Sequence, residues 1–260
     1  MFKREIKINL KSYIVWLLSL IVLFSIVYLV YPSIENNKEI NEMLKAFPDE
    51  LLQAFNMDIS FIDTAYGWLK TEGFVFILLI TGCFSGIMGS NIILKEESDK
   101  TIEYLYSLPV TRNKIIFNKI LAGFIYIVLL IIGIGVFNYF GLLFSGEFDS
   151  KQYILLSITP LFSSIPIYFI CLFLSTFTNK TKKMLSLSLG IVIMSYVLNT
   201  ISSISENTQF LKYFSVFTLV DLRNVILNIS IKPIMIFLSL IISIIFFILM
   251  IIRYNKKELV

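Results

Sequence analysis

The side chains that ordinarily carry out chemistry are scarce in this chain, and those present stand where they cannot do it. None of the 260 residues is a histidine, which removes His general acid–base catalysis, Ser-His and Cys-His nucleophile activation and His-ligated metal sites. Cys83 and Cys171 both fall inside long apolar runs. A small thiol there is a packing residue, and two are too few for a structural zinc site. No G-x-x-x-x-G-K-[ST] run exists to cradle nucleotide phosphates, so the chain is expected to bind no cofactor or metal and to hydrolyse no ATP itself. What remains is Ser-Lys or purely Ser/Asn/Tyr chemistry.

The elements that position these residues are six apolar runs, 12–31, 74–94, 120–143, 153–177, 184–204 and 233–252, with no Lys, Arg, Asp or Glu inside any of them. Each is near the ~20 residues a helix needs to cross about 30 Å of hydrocarbon. Lipid offers backbone N–H and C=O groups no partner, so spans of this kind close their hydrogen bonds within helices. The expected fold is an all-α integral membrane protein with six transmembrane helices. Hydrophobic residues make up 57% of the chain and charged residues 15%, a balance foreign to a soluble core. The first run is too long for a secretory h-region and lacks a small-x-small cleavage site, so it is expected to be retained.

Basic residues set the orientation. The N-terminal tail (Lys3, Arg4, Lys7, Lys11), the connection after the second run (Lys95, Lys100, Arg112, Lys114, Lys119), the one after the fourth (Lys180, Lys182, Lys183) and the C-terminal tail (Arg253, Lys256, Lys257) hold about fifteen of the 22 Lys and Arg residues. These regions are expected to be cytoplasmic, with both termini. The opposite loops hold about twelve of the 18 acids. The net charge of +4 is dispersed over four membrane-proximal segments and forms no basic domain, so no nucleic-acid partner is expected.

Residues 1–11 place Phe2, Ile6 and Leu10 on one helical side and the four basic residues on the others. This pattern suits an amphipathic helix lying on an anionic inner surface, and equally a basic flank of the first span. The loops 32–73 and 205–232 are expected to be structured outer segments. In the first, Ile40, Met43, Leu44 and Phe47 recur at helical spacing and Pro48 restarts a helix carrying Leu51, Leu52 and Phe55. The second is apolar enough for a re-entrant or interfacial helix pair, with Asp221 and Arg223 as its polar edge. Pro160 and Pro166 are expected to break the ladder of the fourth span twice.

One segment, 95–119, reads as a helix, a stop and a second helix. Ser98 or Asp99 caps the first, with acids at its N-terminal end and Ile102, Leu105 and Tyr106 on one face. Pro109 ends it, Thr111 caps the second, and Val110 and Ile115 take the positions of a hydrophobic staple. A short apolar-faced elbow of this kind can transmit a push. The pattern Glu97…Thr101-x-Glu103-x-Leu105…Pro109-Val110-Thr111-Arg112-x-x-Ile115…Lys119 resembles the E-x-x-G-T-x-E-x-L-x-x-x-P-[VI]-[ST]-R-x-x-I-x-x-x-K signature of type-2 ABC transporter permeases, with Lys100 in place of the usual Gly. The setting between the second and third of six spans is similar too, as is the ending Arg253-Tyr254-Asn255-Lys256-Lys257-Glu258.

The resemblance implies that 95–119 is a cytoplasmic coupling helix docking on a separate nucleotide-binding subunit, and 1–11 a connecting helix beside it. It implies apolar contacts from Ile102, Leu105, Tyr106 and Leu108, a turn at Pro109, and charged anchoring through Glu97, Glu103, Arg112 and Lys119, with Thr101 in the motif. It also implies two cytoplasmic ATPase subunits holding ATP and Mg, and a second permease copy or a homologue. The expected activity is export. Abundant Phe and Tyr with no charge at depth suit an amphipathic peptide, lipid or hydrophobic drug better than a small ion. Phe84, Met88 and Asn91 of the second span and Met194, Tyr196 and Asn199 of the fifth are candidate pathway residues. A passive channel or membrane assembly factor, and less readily a polytopic enzyme, are the competing readings.

Overall fold

The computed structural model describes residues 2–35, 64–98, 110–146 and 148–257, apart from the side chains of 30–35, 71 and 206. The expected helices around 40–55 lie outside the described residues. What is described is helical, without a strand. In chain order the helices are α1 (Phe2–Glu35), α2 (Ala65–Trp68), which passes through a π-helical turn (Leu69–Gly73) into α3 (Phe74–Ser98), α4 (Arg112–Ser145), α5 (Ser150–Ile158), α6 (Pro160–Ser175), α7 (Thr181–Ile204), α8 (Leu222–Asn228) and α9 (Pro233–Lys256). Six segments are long and apolar enough to cross a bilayer: α1, α3, α4, α5 with α6, α7 and α9.

The bundle is organised on α3. It packs most extensively on α6 and next on α7, while α9 lies on α6 and α1 on α4. Small residues permit this. Lipid tails are as apolar as leucine, so helices associate in a membrane through close packing. Gly89 brings α3 so near α6 that an added Cβ would collide with the Tyr168 carbonyl oxygen and sit 3.2 Å from the Leu172 nitrogen. Gly86 lies against Ser188 of α7. Gly123 of α4 leaves room for the Tyr168 ring, whose hydroxyl donates to the Ile120 carbonyl oxygen at 3.0 Å.

Four local outcomes depart from the sequence expectations. Residues 2–11 form no separate surface helix, because α1 runs unbroken from Phe2. Glu5 is buried and the Ile6 carbonyl accepts a hydrogen bond from the Tyr126 hydroxyl, so this stretch is tied to the bundle instead of lying free on a membrane surface. The fourth span is interrupted once, at Thr159, where Pro160 takes the first helical position of α6. Pro166 stays inside α6 without ending it, since neighbouring helices can accommodate the lost backbone bond. Helix α3 continues through Lys95, Glu96 and Glu97, and α4 begins at Arg112, so both flanks of 99–109 belong to membrane helices. Thr111 is the N-cap of α4, but its side chain makes no capping bond.

The 205–232 segment folds as two 3-10 stretches (Glu206–Phe214, Val216–Leu219) followed by α8. Its apolar residues divide by burial. Phe217, Leu219, Val220, Leu222 and Val225 are buried, whereas Phe210, Tyr213, Phe214 and Leu227 are exposed. Ser215 donates to the Ser195 carbonyl at 2.6 Å, and the Ser195 hydroxyl accepts from the Val216 amide at 2.7 Å, pinning the segment to α7.

At the same end of the bundle, Tyr66 donates to Gln152 Oε1 at 2.7 Å and the Gln152 amide donates to the Ile226 carbonyl at 2.7 Å. Three short helices are thereby joined. Below them in the π-helical turn is Glu72, whose carboxyl is pushed up to about 7 by burial. The folded chain keeps this proton where the unfolded chain has already lost it. Stability from Glu72 is therefore full below 4.5 and falls as pH rises through about 7. Glu72→Gln should flatten that decline, measured as melting midpoints in detergent from about pH 5 to about pH 8.

Candidate functional site

The described charges concentrate at the end of the bundle that carries both termini. Helices α3 and α4 arrive there on either side of 99–109, each with charge of the wrong sign for its own dipole: Glu96 and Glu97 in the last turns of α3, Arg112 in the first turn of α4. Partners from other helices offset this. The Lys119 ammonium of α4 pairs with Glu96 and lies 3.4 Å from Glu5 Oε1 of α1, and it donates to the Ile92 carbonyl of α3 at 3.3 Å. Lys95 approaches the other Glu5 oxygen at 3.5 Å. Glu5 is 0% exposed, Glu96 3% and Lys119 4%, so the cluster is an internal, charge-balanced junction of α1, α3 and α4.

A second cluster ties in the chain end. Lys257 pairs with Glu97 at 2.7 Å and donates to the Thr178 carbonyl, in the α6–α7 connection, at 3.3 Å. Arg112 donates to the carbonyls of Tyr254 and Lys257, the latter at 3.0 Å, and its guanidinium stacks 4.5 Å from the Tyr254 ring. A cation satisfying the last carbonyls of α9 is favourable for that helix's dipole. Arg112→Ala should lower stability by about 1.5–3 kcal/mol. Arg112→Lys should restore little, because an ammonium lacks the planar fork that stacks and donates twice; thermal unfolding of both variants checks this.

Of the expected coupling residues, Thr101, Ile102, Glu103, Leu105, Tyr106, Leu108 and Pro109 lie outside the described residues. Glu97, Arg112 and Lys119 are described, and all three point into the bundle. Sequence reasoning gave Glu5, Lys95, Glu96 and Lys257 no role in holding helices together, and used Lys95 and Lys257 for orientation. A signal existed: one acid, Glu5, in an otherwise basic tail.

The candidate pathway residues separate. Phe84 and Met88 are buried in the core, Phe84 edge-on to Trp16, and Met194 is exposed. Asn91 is half-buried on α3. Only Tyr196 and Asn199 line the large described cavity, of about 960 Å³, between α6, α7, α9 and the 205–232 segment. Tyr196 meets Phe217 edge-on, and Asn199 Oδ1 accepts from the Thr218 hydroxyl at 3.2 Å. Among the described residues no group of His, Cys, Asp and Glu could hold a metal ion.

Six apolar crossings, with the ion pairs among the described residues near helix ends, define a multi-pass component of the plasma membrane. A family model described as "ABC-2 family transporter protein" matches residues 1–259, so the chain belongs to the ABC-2 type transporter permease family and is a membrane component of an ABC transporter. No curated protein and no solved structure matches it.

Proposed function

We propose that the chain is the permease subunit of an ATP-driven exporter, with termini and 95–119 on the cytoplasmic side and ATP and Mg held by a separate pair of ATPase subunits. The family match over nearly the whole chain carries this reading. The distribution of Lys and Arg supports the sidedness, and apolar runs without an ionisable group, which leave no site for a driving ion at depth, support an external engine. In this reading 99–109 docks on the ATPase through Ile102, Leu105, Tyr106 and Leu108, with Glu103 as a charged contact, Thr101 in the motif and Pro109 as the turn. Glu97, Arg112 and Lys119 act from inside, holding α1, α3, α4 and the end of α9 as one body around the docking segment. A push received there moves the helices together.

A second permease, identical or homologous, would cover part of the apolar surface that the bundle leaves exposed. The cargo would be an amphipathic peptide, lipid or hydrophobic drug. The test is reconstitution with a P-loop ATPase that co-purifies with the chain. Glu103→Arg or Leu105→Asp should leave insertion intact and cut substrate-stimulated ATPase and export at least about tenfold; unchanged export with either variant overturns the docking assignment. Uphill transport by the chain alone in liposomes overturns the external engine.

A further inference from the structure

The cavity that holds Tyr196 and Asn199 has an amphipathic lining whose order along α9 matches a lipid. Helices α7 and α9 each pack on the central α3–α6 pair and to no appreciable extent on each other, so helix packing leaves the space between them unfilled. Its deep wall is apolar: Ile170 of α6 with Leu238, Ile242 and Phe246 of α9. From Pro233, at the start of α9, to Phe246 is about 20 Å of helix, close to one leaflet of a core about 30 Å thick. Its mouth carries the cations Lys212, Arg223 and Lys232 against Asp221, the single acid there among the described residues. Lys232 already pairs with Asp221 at 2.6 Å. Lys212 lies over the Tyr213 ring, and Arg223 is exposed with no ion pair among the described residues. Exposed Tyr213 and Phe214 stand at this mouth, as aromatic rings do at a membrane interface.

Between mouth and tail wall are the last two turns of α7, with Thr200, Ser202 and Ser203. Each hydroxyl donates to its own helix, to the carbonyls of Tyr196, Asn199 and Thr200 at 3.1, 2.7 and 2.7 Å. Their donors are used and their oxygen lone pairs remain, so the waist accepts hydrogen bonds while the mouth attracts negative charge. We infer that the cavity binds one anionic phospholipid whose headgroup carries free hydroxyls, of the phosphatidylglycerol type. The phosphate lies between Lys212 and Arg223, the hydroxyls donate to the α7 oxygens, and an acyl chain runs down α9 past Leu238 to Phe246. The volume lies at the upper end of the ~300–1,000 Å³ of small-molecule sites, room for a headgroup and part of the tails, the rest leaving through the α7–α9 gap. This site stands whether or not the chain exports anything.

The test is native mass spectrometry of the full chain in neutral detergent, offered phosphatidylglycerol and phosphatidylcholine with the same acyl chains. One phosphatidylglycerol should be retained with at least about tenfold preference. Lys212→Gln with Arg223→Gln should abolish the preference at unchanged melting temperature. Leu238→Trp, which fills the tail wall, should weaken both lipids. Lys3→Gln with Arg4→Gln, at the other end, should change nothing, and inorganic phosphate should not displace the lipid. Equal retention of the two lipids, a preference that survives Lys212→Gln with Arg223→Gln or is lost with Lys3→Gln and Arg4→Gln, or displacement by free phosphate overturns the assignment.

Discussion

Lys119→Met is expected to cost about 3–5 kcal/mol of stability, the usual penalty for leaving buried charge without its partner. Two carboxylates lose the same ammonium at once: Glu96, in direct ion-pair contact, and Glu5, at 3.4 Å with no exposed surface. Lys95, at 3.5 Å from Glu5, cannot serve both. Removing the stranded charge should recover much of the loss, so Glu5→Gln with Glu96→Gln in the Lys119→Met background should melt well above Lys119→Met alone. A double-mutant cycle between Glu5 and Lys119 should show a coupling above ~1 kcal/mol, whereas effects that add within ~0.5 kcal/mol would mean that the two residues do not act as a unit. Because the three helices joined here include both flanks of 99–109, the same variants should also weaken any response passed through that segment.

The second large effect is steric. Gly89→Val should abolish correctly folded protein, and Gly190→Val should be nearly silent although both positions are glycines in membrane helices. A Cβ at Gly89 would collide with the Tyr168 carbonyl oxygen and sit 3.2 Å from the Leu172 nitrogen, both backbone atoms that cannot rotate away. Nothing lies within 4 Å of a Cβ at Gly190. Overpacking among side chains costs about 1–3 kcal/mol; against backbone, at the most extensive helix contact of the bundle, the loss should exceed that range. Yield of monodisperse protein and its melting midpoint measure the contrast.

The resemblance carried by 97–119 and the family match over 1–259 agree on a type-2 ABC permease. The six spans are legible because a single chemical rule, the insolubility of bare peptide groups in hydrocarbon, makes long apolar runs speak for themselves, whereas the family is legible only through the residues of 97–119 that carry the resemblance. Where the local signal is a cap or a proline, it decides only part of the outcome. The acids near the expected cap at Ser98 or Asp99 suit the start of a helix, yet Glu96 and Glu97 close α3, and Lys119 and Lys257 reach them from elsewhere. Pro166 carries the same covalent restriction as Pro160, but only the latter coincides with an interruption of the helix. Glu5 stood among Lys3, Arg4 and Lys7 with nothing local to say that it faces inward.

The amino-acid order alone determined that this chain lives in a bilayer as six helices and that its ionisable groups stay out of the apolar runs, because those outcomes depend on composition over windows of about twenty residues. Which ends are bolted together, which helix is central and where a cavity opens depended on pairings up to 160 positions apart, such as Lys257 with Glu97. Those contacts exist only once glycine-lined helices have come close enough for backbone to touch backbone, and no short stretch of sequence contains that distance.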